Sequence, residues 1–129
     1  MDGGSVSKSY VILEINEKFQ IKCELKRHLS PSLVGVINRS LPITGTIHML
    51  GKSGVYFESH IESGGERTRR EFKKGDIAFL SVGHAFCFFH KDSKVGKELI
   101  PIGKILDDPN ELLKANSGDT VSLYCATGW

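Results

Sequence analysis

The stretch that decides how the chain folds is Gly75-Asp76-Ile77-Ala78-Phe79-Leu80-Ser81-Val82-Gly83-His84-Ala85-Phe86-Cys87-Phe88-Phe89-His90. Counted with Phe72 just before it, this segment holds five of the seven phenylalanines in a chain of 129 residues. Side chains of that size are the ones a small domain can least leave in water, so the segment marks the core. Lys73-Lys74-Gly75-Asp76 is a turn signal, an apolar run follows it, Gly83 interrupts, and a second apolar run ends at His90. The glycine break and the aromatic enrichment favour two strands over one helix.

Upstream, residues 10–15 form a β-branched and aliphatic run, and Asn16-Glu17-Lys18 reads as a turn. Phe19, Ile21, Cys23 and Leu25 then alternate with Gln20, Lys22, Glu24 and Lys26. A period of two with one apolar face predicts an antiparallel hairpin. Ser30-Pro31 opens a helix, with Ser30 as N-cap, Pro31 in the first turn and Leu29 placed to staple against Val34. Leu33, Val36 and Ile37 make its apolar stripe, Gly35 weakens it, and it should end by Ser40, before Leu41-Pro42. Residues 43–50 alternate again, 51–54 read as a turn, 55–59 as a short strand and 62–66 as a loop tip.

Downstream, residues 91–98 are polar and form the longest irregular stretch, which predicts a mobile flap beside a site. Residues 99–106 resume a strand in which Pro101 implies an edge or a bulge. Asp108 and Glu111 have capping-box spacing for a short helix through Ala115, and residues 120–125 close the chain as a strand. The sum is a mainly β chain with about eight strands and two short helices, in a closed barrel or a sandwich. A loose tail over residues 1–9 and a single domain over 10–129 are expected.

Composition narrows the function. Charged residues make up 25% of the chain and hydrophobic ones 40%, and the formal net charge is +2. The densest basic run, Arg67, Arg69, Arg70, Lys73 and Lys74, is interrupted by Glu66 and Glu71, which reads as a solvated face and not as a nucleic-acid surface. Cys23, Cys87 and Cys125 lie far apart in apolar surroundings, as buried thiols of a reducing compartment do. No stretch has the length of a membrane span and the first residues lack a signal peptide's apolar run, so a cytoplasmic chain is expected. Nothing in the sequence fixes an oligomeric state.

Taken in order, these elements resemble a reduced cyclophilin. Pro31-Ser32-Leu33-Val34 falls where cyclophilins carry P-K-T-V, Gly45-Thr46-Ile47-His48 near their G-S-x-F-H, and Leu80-Ser81-Val82 near L-S-M. Phe86-Cys87-Phe88-Phe89-His90 falls near S-Q-F-F-I, and Ile102-Gly103-Lys104-Ile105 near F-G-K-V. The likeness spans residues 10–126, and it is closer still to compact prokaryotic cyclophilin-like proteins of unassigned function. Val82 departs from the proline usual at its position in that group. The resemblance implies a closed eight-stranded cyclophilin-like β-barrel with two short capping helices and a proline-binding groove on its outer surface.

The resemblance also implies which residues isomerise prolyl bonds, and this chain lacks them. Where the family has an arginine after the histidine of F-H-R, Met49 follows His48, and a thioether cannot replace a guanidinium that polarises the twisted amide. Val55 replaces the pocket phenylalanine, Glu58 the supporting glutamine, and Leu99 the histidine before V-V-F-G-K. Phe89 survives in the groove wall. The expected function is therefore a small-molecule or peptide binding module without isomerase activity; a peptidyl-prolyl isomerase with a non-standard active site is the alternative. Tyr56, Glu58 and Phe89 are the expected lining, with His48, Met49 and His84 as neighbours. Each of the aromatic residues is as well explained by barrel packing.

Other chemistries lack support. His84 and His90 share a strand face from which Cys87 points away, and there is no H-x-H pair, so no metal or other cofactor is expected. One turn and strand resemble the second cupin motif, but the first has no match around residues 48–58. No G-x-S-x-G occurs, and no cysteine sits beside a histidine that would activate it.

Overall fold

The Phe-rich stretch folds as two antiparallel strands in a computed structural model that describes residues 8–62 and 66–126. In chain order the strands are β1 Lys8–Ile15, β2 Phe19–Lys26, β3 Ile43–Thr46, β4 His48–Leu50 and β5 Gly54–Glu58. They continue with β6 Arg69–Phe72, β7 Asp76–Leu80, β8 Ala85–Phe89, β9 Ser93–Ile105 and β10 Thr120–Cys125. One α-helix, α1 Pro31–Ser40, follows β2, and a 3-10 helix, Pro109–Lys114, precedes β10. All ladders are antiparallel, in the spatial order β3-β10-β1-β2-β9-β7-β8-β5-β4, with β6 paired to the first half of β9.

Alternation sorts the core. Ile77 and Phe79, Phe86 and Phe88, and Val55 and Phe57 face one way from three adjoining strands, all at most 1% exposed. Phe57 stacks on Phe86 with centroids 5.1 Å apart, and Phe79 meets Phe86 edge-on at 5.2 Å. Val11, Leu13, Ile21, Leu25 and the α1 residues Leu33, Val34 and Ile37 complete this cluster. The other face of β7 and β8 carries a second, smaller cluster of Phe72, Ala78, Cys87, Phe89 and Leu99. Every residue of β8 is therefore buried, which is why its sequence is continuously apolar where β2 alternates.

The mainly β class and the helix position agree with the sequence, but a closed eight-stranded barrel with two capping helices does not describe the molecule. Nine of the ten strands form an open path, β6 lies off it on β9, and among the described residues no ladder joins β3 to β4 or β5. The run 43–50 is split because Ile47 leaves the ladder: its N–H donates to Asp119 O at 2.8 Å, and its carbonyl accepts from Gly118 N at 2.9 Å. The two ends nevertheless lean together, since a Cβ on Gly45 would stand 2.9 Å from Phe57 Cδ1. The expected second helix is a single 3-10 segment of six residues. Asp108 does cap it, accepting from Asn110 N at 3.0 Å, but Glu111 turns to Lys114 instead of back to the cap.

Three further expectations change. Ser30 stands at the N-cap position, yet its hydroxyl donates to Pro101 O at 2.9 Å and ties the helix start to β9. Lys8 and Ser9, expected in the tail, belong to β1 and pair with Lys26 and Leu25, while residues 1–7 and the expected loop tip at Ser63-Gly64-Gly65 lie outside the described residues. The polar stretch 91–98 is no loose flap, because from Ser93 onward it is strand, held to β6 by the pairs Glu71–Lys94 and Phe72–Ser93. Among the described residues no helix is long and apolar enough to cross a membrane.

Candidate functional site

Register places the candidate groove. Directly paired residues of an antiparallel ladder project from the same face. The pairs Ala78–Cys87, Cys87–Tyr56 and Tyr56–His48 therefore make one row across β7, β8, β5 and β4, and Leu80–Ala85–Glu58 makes the next. This face points away from the phenylalanine core. The first half of β9 passes beside it, with Val95 and Leu99 packed on the second cluster. Between them lies an open groove of about 600 Å³, walled by Tyr56, Leu80, Val95 and Leu99, with Cys87 at the floor and Glu58 at the rim.

Electrostatics in the groove is simple. The Cys87 thiol is pushed up to about 12 by burial, so at neutral pH it is an inert apolar surface and not a nucleophile. Glu58 is exposed. Lys94 and Lys97 on β9 are exposed cations on the opposite wall.

The six residues singled out from sequence separate here. Tyr56 and Glu58 line the groove. His48 stands next to Tyr56, their rings stacked with centroids 5.2 Å apart. Phe89 is fully buried and stacks on Phe72 at 5.1 Å, so it supports the groove from within the second cluster without lining it. Met49 pairs with Val55, which puts it on the opposite face of the sheet from Tyr56. His84 occupies the β7–β8 turn at φ 53°, with Nδ1 2.8 Å from Ile61 O and its carbonyl accepting from the Ser59 hydroxyl, and it does not reach the groove. The sequence missed the β9 wall, although Val95 and Leu99, set among lysines and a glutamate, were the available signal.

Among the described residues no arginine lines the groove. Arg69 contacts Asp76 at 3.2 Å, and Arg70 contacts Glu98 at 3.5 Å. Thr68 also donates to Glu98, and this bond, with Arg70 beside it, holds the Glu98 carboxyl below its usual range. Among the described residues no three of His, Cys, Asp and Glu stand together in an arrangement that could hold a metal ion.

An external groove on an antiparallel sheet with one proline-led helix defines a class of small β domains, and comparison with known families says which. The family model described as cyclophilin-like matches residues 9–124, and the chain belongs to that family. Among solved structures it is similar to the hypothetical protein AF2241 from Archaeoglobus fulgidus, with 22% identity, a TM-score of 0.78, and 97% of this chain and 100% of that chain covered. It is also similar in fold to McbB, solved in complex with tryptophan, with 10% identity and a TM-score of 0.74. That likeness covers 92% of this chain but 45% of McbB, so the chain spans under half of that protein's length. No curated protein matches the chain significantly.

Proposed function

We propose that the chain binds a small molecule or short peptide in the groove between β5, β8 and the first half of β9, and does not isomerise prolyl bonds. One observation carries the reading: a cavity of about 600 Å³ has apolar walls from Tyr56, Leu80 and Val95 and a few polar groups at its rim. That size and that mixture are typical of small-ligand sites. Glu58 on one side and Lys97 on the other suit a ligand with both an ammonium and an acidic or hydroxyl group, lying on the Tyr56 ring. McbB is solved with such a molecule, which makes tryptophan a sensible first probe. Against isomerisation stands the groove's lack of a guanidinium, since no arginine is among its described lining residues and Arg69 and Arg70 pair with Asp76 and Glu98 outside it. The role suits the cytoplasm, where the three free cysteines stay reduced.

The test is exchange spectroscopy on an X-Pro peptide with substoichiometric protein, run beside amide-shift titrations of the labelled chain with that peptide and with tryptophan. Uncatalysed exchange takes tens to hundreds of seconds. Unchanged exchange with saturable shifts around Tyr56, Glu58 and Cys87 is the expected result. Accelerated exchange would establish the alternative, an isomerase with a non-standard site. Titrations that leave those three residues unmoved would remove the groove from consideration.

A further inference from the structure

A second concavity shares no lining residue with the groove. One cavity of about 710 Å³ and another of about 270 Å³ have His28, Leu29 and Arg69 in common, so they adjoin as two lobes of one cleft region. Lys26 and His28 enter from the end of β2, Arg67 and Arg69 from the approach to β6, Lys73 from the β6–β7 turn and Lys104 from β9. Five permanent cations thus face two carboxylates, Glu66 and Asp76, a local excess of three in a chain whose whole formal charge is +2.

Part of this charge is fixed in place. The Asp76 side chain is 4% exposed, and both its oxygens are occupied. Oδ2 accepts from Lys73 N at 2.8 Å and from Arg69 Nη2 at 3.2 Å, while Oδ1 meets Lys104 Nζ at 3.3 Å. The Arg69 guanidinium also lies over the Phe72 ring, 5.0 Å from its centroid. Held at one edge and one face, it keeps further donors free, and the Arg69 and Lys104 side chains remain 46% and 48% exposed. Glu66 is turned aside, accepting from Leu33 N at 3.5 Å in the first turn of α1. Lys73 also approaches Asp92, at 4.0 Å. Among the described residues Lys26, His28 and Arg67 have no carboxylate partner.

A rigid cation pair flanked by uncommitted cations in a molecule-sized hollow is an arrangement for a multiply charged anion. We infer that this cleft binds a small phosphate-bearing molecule, with the phosphate on Arg69 and Lys104 and with Lys26 and Arg67 closing on it. A single carboxylate would leave most of the excess charge unmatched. A nucleic acid is disfavoured because Glu71, Asp92 and Glu98 interrupt the basic surface beyond the cleft.

The experiment titrates the isotope-labelled full chain with inorganic pyrophosphate, with sodium chloride adjusted to hold ionic strength constant. Saturable shifts at His28, Arg67, Arg69 and Lys104 are expected. The double variant Lys26→Ala, Arg67→Ala alters one half-buried and one exposed side chain and should weaken binding at least about tenfold, whereas Lys18→Ala on the β1–β2 turn should not. Shifts no larger than sodium chloride alone produces, or a double variant that binds like the wild type, would overturn the assignment. So would a single-stranded RNA oligomer that displaces pyrophosphate at far lower concentration, by making the cleft part of a polymer track.

Discussion

Gly54 in β5 lies so close to β8 that a Cβ built on it would stand 2.0 Å from Phe88 O. That approach draws the two strands together where Tyr56 comes to rest beside Cys87. The obstructing atom is backbone, which cannot swing aside as a flexible side chain would.

Gly54→Ala is therefore expected to destabilise the fold by about 3 kcal/mol, at the upper end of what overpacking costs. Urea denaturation measures it. A loss under about 1 kcal/mol would mean that β5 can move off β8 freely.

Cysteine reactivity should divide sharply. Burial raises both the Cys23 and the Cys87 thiol, Cys87 to about 12, whereas Cys125 is exposed. Alkylation of the native chain at about pH 8 should label Cys125 alone, with Cys23 and Cys87 following only in denaturant. Rapid native labelling of Cys87 would show that the groove floor is open to reagent.

Asp76→Ala removes a buried carboxylate that serves Arg69, Lys104 and the Lys73 N–H together. Both cations are about half exposed and can return to water, so the expected loss is about 2 kcal/mol, less than for a fully buried pair. Asp76→Asn keeps an acceptor for Lys73 N and should lose about half as much. Chemical denaturation of the two variants decides it, and equal losses would mean that the charge, not the turn bond, is what matters.

His90 gives stability a pH dependence. Partial burial, with the charges of Lys91 and Lys74 adding to it and a backbone hydrogen bond opposing it, holds the imidazole below its usual 6.5. The unfolded chain then binds the proton more readily. Stability from this group is complete above about pH 6.5 and falls as pH drops from there through the lower folded value. His90→Gln should flatten that part of the stability profile, measured as urea midpoints between about pH 7.5 and pH 5. Identical slopes in the two proteins would show that His90 does not contribute.

Sequence patterning was most informative where one face is wet. Lys22 and Glu24 beside Cys23 and Leu25 identify β2 and its facing without ambiguity, and Pro31 with Leu41-Pro42 brackets α1 to the residue. The family likeness was legible in ordered short motifs spanning most of the chain, and of the residues it singled out Tyr56 and Glu58 line the cavity beside β9. Topology was less legible. Ile47 looks like any alternating apolar residue, and only its bonds to Gly118 and Asp119, far away in sequence, break the strand there. Val95 offered a weak signal because its neighbours are polar, and a strand covered on one side by a four-residue partner needs little apolar surface. The cleft around Asp76 was invisible for another reason: Lys26, Arg69 and Lys104 come from three separated segments, and no local pattern relates them.

β9 runs for 13 residues, walls the groove with its first half, and with its second half is sewn between β2 and β7 in the main sheet. A guest held against Val95 and Leu99 is thus held against a strand that cannot detach without dismantling the molecule. Occupancy of the groove should accordingly be felt as slower hydrogen exchange at Glu24, which pairs with Lys104 on the far side of that strand, making the protein's own breathing the gauge of whether its groove is full.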